Sequence, residues 1–200
     1  ILSLGTRGVQ LFFIASAFTL FRSYKNRNSF EKSPTKNFFI RRFFRIAPIY
    51  YLAIIYFILH QYINVPYWLG NQPYISVYNK ISNILFLHGF SPYWINSLVP
   101  GGWSIAVEMM FYALFPFLFL KIKTINHAFV FLNIALIFKL IFQEFFNYFQ
   151  FIPSNYLKRE FLFYYFPSQL PVFAMGIIMF FLIENIKSLD KVSIKIKLIT

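Results

Sequence analysis

Five stretches of this chain are almost continuously apolar, and short segments rich in charges, proline or asparagine separate them. An α-helix needs about 20 mainly apolar residues to cross a bilayer. The pattern therefore predicts an all-α fold, a polytopic integral membrane helical bundle with about five spans. The predicted spans cover residues 9–21, 46–63, 101–120, 128–142 and 161–183, and residues 2–8 extend the first of them.

The segments between the predicted spans are rich in residues that interrupt helices. Residues 64–99 contain Pro66, Gly70, Pro73 and Pro92 and are expected to lie outside the membrane. Residues 81–90 within this segment are apolar but too short to cross a bilayer, so they predict a re-entrant or interfacial helix. Residues 148–160 are predicted to form a second outer loop.

The composition supports a membrane protein. The 200 residues are 58% hydrophobic and only 12% charged, whereas soluble domains are about 25% charged. The absence of cysteine excludes disulfides, thiol catalysis and cysteine-bound metals. No pair of histidines or carboxylates has the spacing of metal ligands, so no metal site is expected.

The formal net charge of +13 is unevenly distributed. Residues 62–99 carry Lys80 as their only charge, whereas basic residues crowd the segment between the first two spans. Such asymmetry marks the cytoplasmic side of a membrane protein. Because the cations flank apolar spans, they favour a bilayer as partner and argue against nucleic-acid binding. The basic residues of that segment are Arg22, Lys25, Arg27, Lys32, Lys36, Arg41, Arg42 and Arg45.

Glu108 is an acidic residue within the apolar stretch 101–120. A carboxylate in a membrane span is costly unless it is paired, protonated or facing water. Ser104, Glu108 and Tyr112 are spaced i, i+4 and i+8, so they share one helix face, which we expect to point into the bundle. Glu108 then either orients a substrate or relays a proton, or it forms a structural hydrogen bond between two helices.

Three arginines precede the second span, and their spacing would allow two of them to bind one anion together. Arg42 and Arg45 are i, i+3, and Arg41 and Arg45 are i, i+4, so either pair could bind phosphate oxygens such as those of coenzyme A. The alternative is an anchor at the inner leaflet.

His88, in the outer segment, is a candidate for proton transfer near neutral pH. Its alternative is a polar residue at the membrane interface.

Residues 103–112 read Trp-Ser-Ile-Ala-Val-Glu-Met-Met-Phe-Tyr. This resembles the Trp-Ser-x-x-x-Glu-x-x-Phe-Tyr signature of membrane acyltransferase family 3, which includes bacterial O-acetyltransferases of surface polysaccharides. Three other segments are similar to the family in the same order. Residues 9–18 resemble its second helix, residues 41–48 its Arg-x-x-Arg motif (matched by Arg42 and Arg45), and residues 170–176 a later helix.

The resemblance implies a multi-pass enzyme of the inner, cytoplasmic membrane with no bound cofactor. Such an enzyme takes an acyl group, commonly acetyl, from a cytoplasmic acyl-CoA and delivers it to a hydroxyl of a surface or exported carbohydrate or glycolipid. Arg42 and Arg45 would bind this co-substrate, and Glu108 would align the acceptor or relay a proton. Ser104, Tyr112 and His88 are further candidates.

The resemblance also implies that the chain is partial. The family's first helix carries an Arg and a His regarded as catalytic, and it would precede Ile1, while the last helices would follow Thr200. Residues 1–185 are therefore expected to form a partial acyltransferase domain, and residues 186–200 a basic cytoplasmic segment. The alternatives are a non-catalytic component of polysaccharide export and an inactive, truncated acyltransferase.

One expectation creates a difficulty for acyl transfer. Glu108 is predicted near the outer side, whereas Arg42 and Arg45 are predicted at the inner side. The acyl group, or the pantetheine arm that carries it, is then expected to reach through the bundle.

Overall fold

The computed structural model describes residues 4–63, 75–149, 151–152 and 154–197. Within these ranges the regular structure is helical throughout, as the apolar pattern predicts. It comprises the helices α1 (Leu4–Asn28), α2 (Pro34–Ile63), α3 (Val77–Ile84), α4 (Gly102–Lys121), α5 (Ile125–Phe149), α6 (Asn155–Tyr164) and α7 (Phe166–Lys197), with a 3₁₀ turn (His88–Phe90) before α4.

Four segments of the described chain are long and apolar enough to cross a membrane: Pro34–His60, Gly102–Lys121, Ile125–Phe149 and Asn155–Lys187. Helix α1, with 25 residues, also has the length of a span. The structure thus agrees with a bundle of about five spans.

Helix α2 starts much earlier than the predicted span. It begins at Pro34, not at residue 46. Proline is tolerated in the first turn of a helix because the backbone N–H groups there have no acceptor within the helix. At the other side of the turn, α1 continues to Asn28. The predicted cytoplasmic loop is therefore a short turn, and the arginines from Arg41 to Arg45 lie on a helix.

The predicted last span, residues 161–183, is divided between two helices. Tyr165 has an extended backbone (φ −64°, ψ 144°), ends α6 and separates it from α7. Pro167 then falls in the first turn of α7, where a proline is tolerated. Helix α5 begins before and ends after the predicted range 128–142.

The short outer helix predicted at residues 81–90 is two elements. Helix α3 begins after Ser76, whose side chain accepts a hydrogen bond from the Asn79 amide and so caps the helix. It ends at Ile84, and Phe86 follows with a positive φ of 59°. This left-handed residue turns the chain into the 3₁₀ turn that contains His88.

Helix α7 lies at the centre of the bundle and packs most extensively against α1 and α5. Gly176 allows the close approach of α1, since a Cβ there would lie 2.3 Å from the Ile14 carbonyl oxygen. Stacked rings fill the space between α1, α4 and α7. The ring of Phe173 lies 4.0 Å from that of Phe111 and 4.6 Å from that of Phe13.

The outer surfaces of α2 and α5 are mainly apolar, as expected for helices that face lipid. Exposed side chains along these surfaces include Leu52, Leu59, Ile134 and Ile141.

Candidate functional site

Glu108 lies inside the bundle with only 4% of its surface exposed. Its Oε1 accepts a hydrogen bond of 2.9 Å from the Ser16 hydroxyl on α1. The same oxygen accepts a second hydrogen bond from the Tyr112 hydroxyl, one turn further along α4. Two hydroxyl donors offset part of the cost of burying a carboxylate.

The two carboxylate oxygens of Glu108 differ in their hydrogen bonding. Within the part of the chain that the structure describes, Oε2 accepts no hydrogen bond. A carboxylate has about four acceptor sites on its two oxygens. Ser16 and Tyr112 therefore fix the orientation of the group, and both do so through the same oxygen.

Arg42 approaches this carboxylate from α2. Its guanidinium carbon lies 5.7 Å from the centre of the Tyr112 ring and 5.8 Å from that of Phe38. Such distances are typical of cation–π contacts. The charges of Arg42 and Glu108 also attract each other. The Nε of Arg42 is buried and has no hydrogen-bond partner among the described residues.

Arg42 lies close to Tyr112 because α2 begins earlier than the sequence predicted. Arg42 is the ninth residue of a helix that begins at Pro34, so it lies about 12 Å along the helix. Tyr112 lies one turn, about 6 Å, from Glu108 in the direction of the C-terminal end of α4. The arginine motif and the buried carboxylate are therefore neighbours, contrary to the separation that we expected from the sequence.

The other two arginines of the motif have different surroundings. Arg45 is exposed, and its charge lies close enough to that of Arg42 to repel it. Arg41 instead donates to both carboxylate oxygens of Glu31, at 2.9 and 3.2 Å. Partial burial raises the pKa of Glu31, but hydrogen bonds from Asn37, Arg41 and Arg27 hold that pKa below its usual value. Arg41 thus fastens the turn between α1 and α2.

Ser104 does not contact Glu108. Its hydroxyl donates a hydrogen bond of 2.8 Å to the Gly101 carbonyl, at the start of α4. Ser16 of α1 supplies the hydroxyl that the helical spacing led us to expect from Ser104. In the sequence Ser16 is one of three polar residues of the predicted span 9–21, and nothing in the pattern identifies its partner.

His88 belongs to a second buried network. The side chain is 0% exposed. Its Nε2 lies 3.0 Å from the Gly102 carbonyl oxygen and 3.2 Å from the Tyr50 hydroxyl. A carbonyl can only accept, so Nε2 carries the proton of the neutral ring. Burial lowers the pKa of His88, although the carbonyls of Gly102 and Ser82 favour the protonated ring.

The network continues from His88 through side chains that the sequence did not single out. The Tyr50 hydroxyl donates a hydrogen bond of 2.7 Å to the Asn83 amide oxygen. Asn83 donates to Asn79, and Asn79 donates to Ser97. These contacts fasten α3 and the segment before α4 to the middle of α2. They also hold the buried His88 ring in a fixed position.

The comparisons with known proteins bear on the family of the chain. A family model described as an acyltransferase domain matches residues 1–200, the whole chain. Searches of curated proteins and of solved structures each found no match.

Proposed function

The chain belongs to acyltransferase family 3, and we propose that it transfers an acetyl or other acyl group from a cytoplasmic acyl-CoA to a hydroxyl of a surface or exported carbohydrate. Membership makes it a membrane acyltransferase, whereas the donor, the acceptor and the inner-membrane location are parts of the proposal. One observation carries it: the buried cluster that joins Arg42, Tyr112, Glu108 and Ser16 across three helices.

Arg42 and Arg45 are proposed to hold the donor. Exposed Arg45 suits the phosphates of coenzyme A, because a guanidinium pairs well with phosphate oxygens. Half-buried Arg42, whose Nε has no partner among the described residues, then contacts the part of the donor that enters the bundle. Two cations that repel each other in the free protein gain most from a bound anion.

Glu108 is proposed to position the acceptor. In the reaction, the acceptor oxygen attacks the thioester carbonyl, a C–O ester bond forms, the C–S bond breaks, and the hydroxyl proton leaves with the coenzyme A thiol. Oε2 of Glu108 can accept a hydrogen bond from the attacking hydroxyl or pass on its proton. Ser16 and Tyr112 keep that oxygen in place, and such positioning lowers the barrier.

The closeness of Arg42 to Tyr112 supports a transfer through the bundle. A donor held at Arg42 would need to extend its pantetheine arm only about one helical turn to reach Glu108. The distance that the acyl group must cover is thereby reduced from the thickness of a membrane to a few ångströms.

The test is transfer of labelled acetyl from acetyl-CoA by the full-length protein in membrane vesicles. We expect Arg42→Ala and Arg45→Ala to raise the KM for acetyl-CoA, and Glu108→Gln to lower kcat. Arg41→Ala is the matched control, because Arg41 has the same side chain but is held by Glu31. Full activity in the Arg42, Arg45 and Glu108 variants would refute the assigned roles. A wild-type protein that binds no acyl-CoA would favour a non-catalytic role in export.

A further inference from the structure

A polar cleft of about 810 Å³ opens at the end of the bundle opposite the arginine motif. The last turns of α5, helix α6 and the first turns of α1 and α7 surround it. The side chains that matter here are Gln10, Lys139, Gln143, Asn147, Lys158 and Gln169.

One wall of the cleft is a polar stripe on α5. Lys139, Gln143 and Asn147 are spaced i, i+4 and i+8, so they share one face of a helix that is otherwise apolar enough to span a membrane. All three line the cleft. Polar residues inside a membrane span usually face a water-filled cavity and mark a substrate path.

The opposite wall carries an amide with a fixed orientation. Gln169 is only 1% exposed, and its side-chain nitrogen donates to the Phe163 carbonyl. Its oxygen accepts a hydrogen bond of 3.2 Å from Gln10 on α1. Both glutamines line the cleft, so two amide groups are held at its inner boundary before any ligand arrives.

The charge of the cleft is unbalanced. Lys139, Lys158 and Arg159 face Glu160 alone, which leaves a formal excess of two positive charges, three minus one. None of the three cations forms an ion pair within the described ranges of the chain. Lys139 is half-buried in this setting. A half-buried cation without a counter-charge is costly, and a bound anion would lower that cost.

The wall of the cleft contacts the first turn of α4, the helix that carries Glu108. Tyr164, in its wall, stacks on Trp103 with ring centres 4.6 Å apart. Trp103 precedes Glu108 by about 7.5 Å along α4. On α1, Gln10 lies about 9 Å outward of Ser16. A ligand in the cleft would thus be within the length of one or two sugar rings of the carboxylate.

We propose that this cleft binds the acyl acceptor, and that the acceptor is an acidic carbohydrate. The amides of Gln143, Asn147 and Gln10 can pair with sugar hydroxyls, since each amide both donates and accepts. Lys139 and Lys158 supply the counter-charge for a carboxylate or phosphate on the sugar. The inference rests on the proposed function and adds to it the substrate class.

The experiment measures saccharide binding without a donor. The full-length protein is placed in phosphatidylcholine nanodiscs and titrated with trigalacturonate, glucose 6-phosphate and neutral maltotriose. We expect at least one acidic probe to bind about tenfold more tightly than maltotriose. Lys139→Gln and Lys158→Gln should each remove this preference, and Lys139→Arg should keep it. Lys121→Gln, at the inner end of α4, is the matched control and should bind as the wild type does.

Equal binding of acidic and neutral probes, no binding of either acidic probe, or an unchanged preference in both glutamine variants would overturn the inference. A lipid site would also overturn it. That outcome is a Lys139→Gln protein that still binds the saccharides as the wild type does but has lost affinity for phosphatidylglycerol. Acetyl-CoA binding, measured on the same samples, separates the two proposals. Its absence in the wild type would refute acyl transfer from acetyl-CoA, while intact donor binding without acidic-saccharide binding would refute the cleft assignment alone.

Discussion

The guanidinium of Arg42 lies 5.7 Å above the ring of Tyr112, and this contact joins the arginine motif of α2 to the carboxylate cluster of α4. Tyr112 contacts both groups, because its ring faces the Arg42 guanidinium while its hydroxyl donates to Glu108. A change at Arg42 can therefore reach Glu108 through a single side chain.

The two contacts of Tyr112 can be separated by substitution. Tyr112→Phe keeps the ring beside Arg42 but removes the hydroxyl, so we expect a lower kcat with little change in the KM for acetyl-CoA. Tyr112→Leu removes both contacts and should also raise that KM, since Arg42 would lose its aromatic support, worth about 0.5–2 kcal/mol. Steady-state kinetics in membrane vesicles provides both constants. Equal KM values for the two variants would show that the ring contact does not position Arg42.

Ser16 should matter more for stability than Ser104. Ser16→Ala removes a donor from a buried carboxylate and should lower the free energy of unfolding by about 1–3 kcal/mol. Ser104→Ala is the matched control, because that hydroxyl bonds only to the Gly101 carbonyl among the described residues, and its cost should stay below about 1 kcal/mol. Unfolding in mixed micelles with increasing denaturant measures both. The opposite order would mean that Ser104, and not Ser16, supports Glu108.

Gly176 should not tolerate a methyl group. In Gly176→Ala the new Cβ would lie 2.3 Å from the backbone oxygen of Ile14, so α1 and α7 would have to move apart. Overpacking of this kind costs about 1–3 kcal/mol, and it should be visible as a lower midpoint of thermal unfolding. Gly8→Ala is the matched control, because its new Cβ would have no packing partner within 4 Å in the described part of the chain, and it should be neutral or slightly stabilising. Equal midpoints for the two variants would contradict the close packing of α1 on α7.

The stability of the protein should depend on pH through His88. Burial lowers the pKa of His88 below its ordinary value of 6.5. As the pH falls through 6.5, the unfolded chain therefore takes up a proton before the folded chain does, and the folded state loses stability. We expect a His88→Gln variant to lack this part of the pH dependence. Unfolding midpoints measured between pH 8 and pH 5 test this, and identical slopes for the two proteins would show that His88 is not buried in its neutral form.

The amino-acid sequence by itself determined the helical class, the approximate number of spans and the Glu108–Tyr112 contact. These depend on local properties. Helix α4 begins and ends within one residue of its prediction, because the stretch between Gly101 and Lys121 is mostly apolar and has the length of a membrane span. The i, i+4 spacing of Glu108 and Tyr112 likewise follows from the helix itself.

Only the tertiary structure decided which helices supply the remaining partners. Ser16 and Arg42 reach the cluster because α1 and α2 are rotated and shifted to bring those side chains inward, and no helical period contains this information. The rotation depends on packing between helices, such as the approach of α1 to Gly176 and the stacking of Phe13 and Phe111 on Phe173. Contacts within a helix repeat with its period, whereas contacts between helices depend on how the surfaces of several helices fit together.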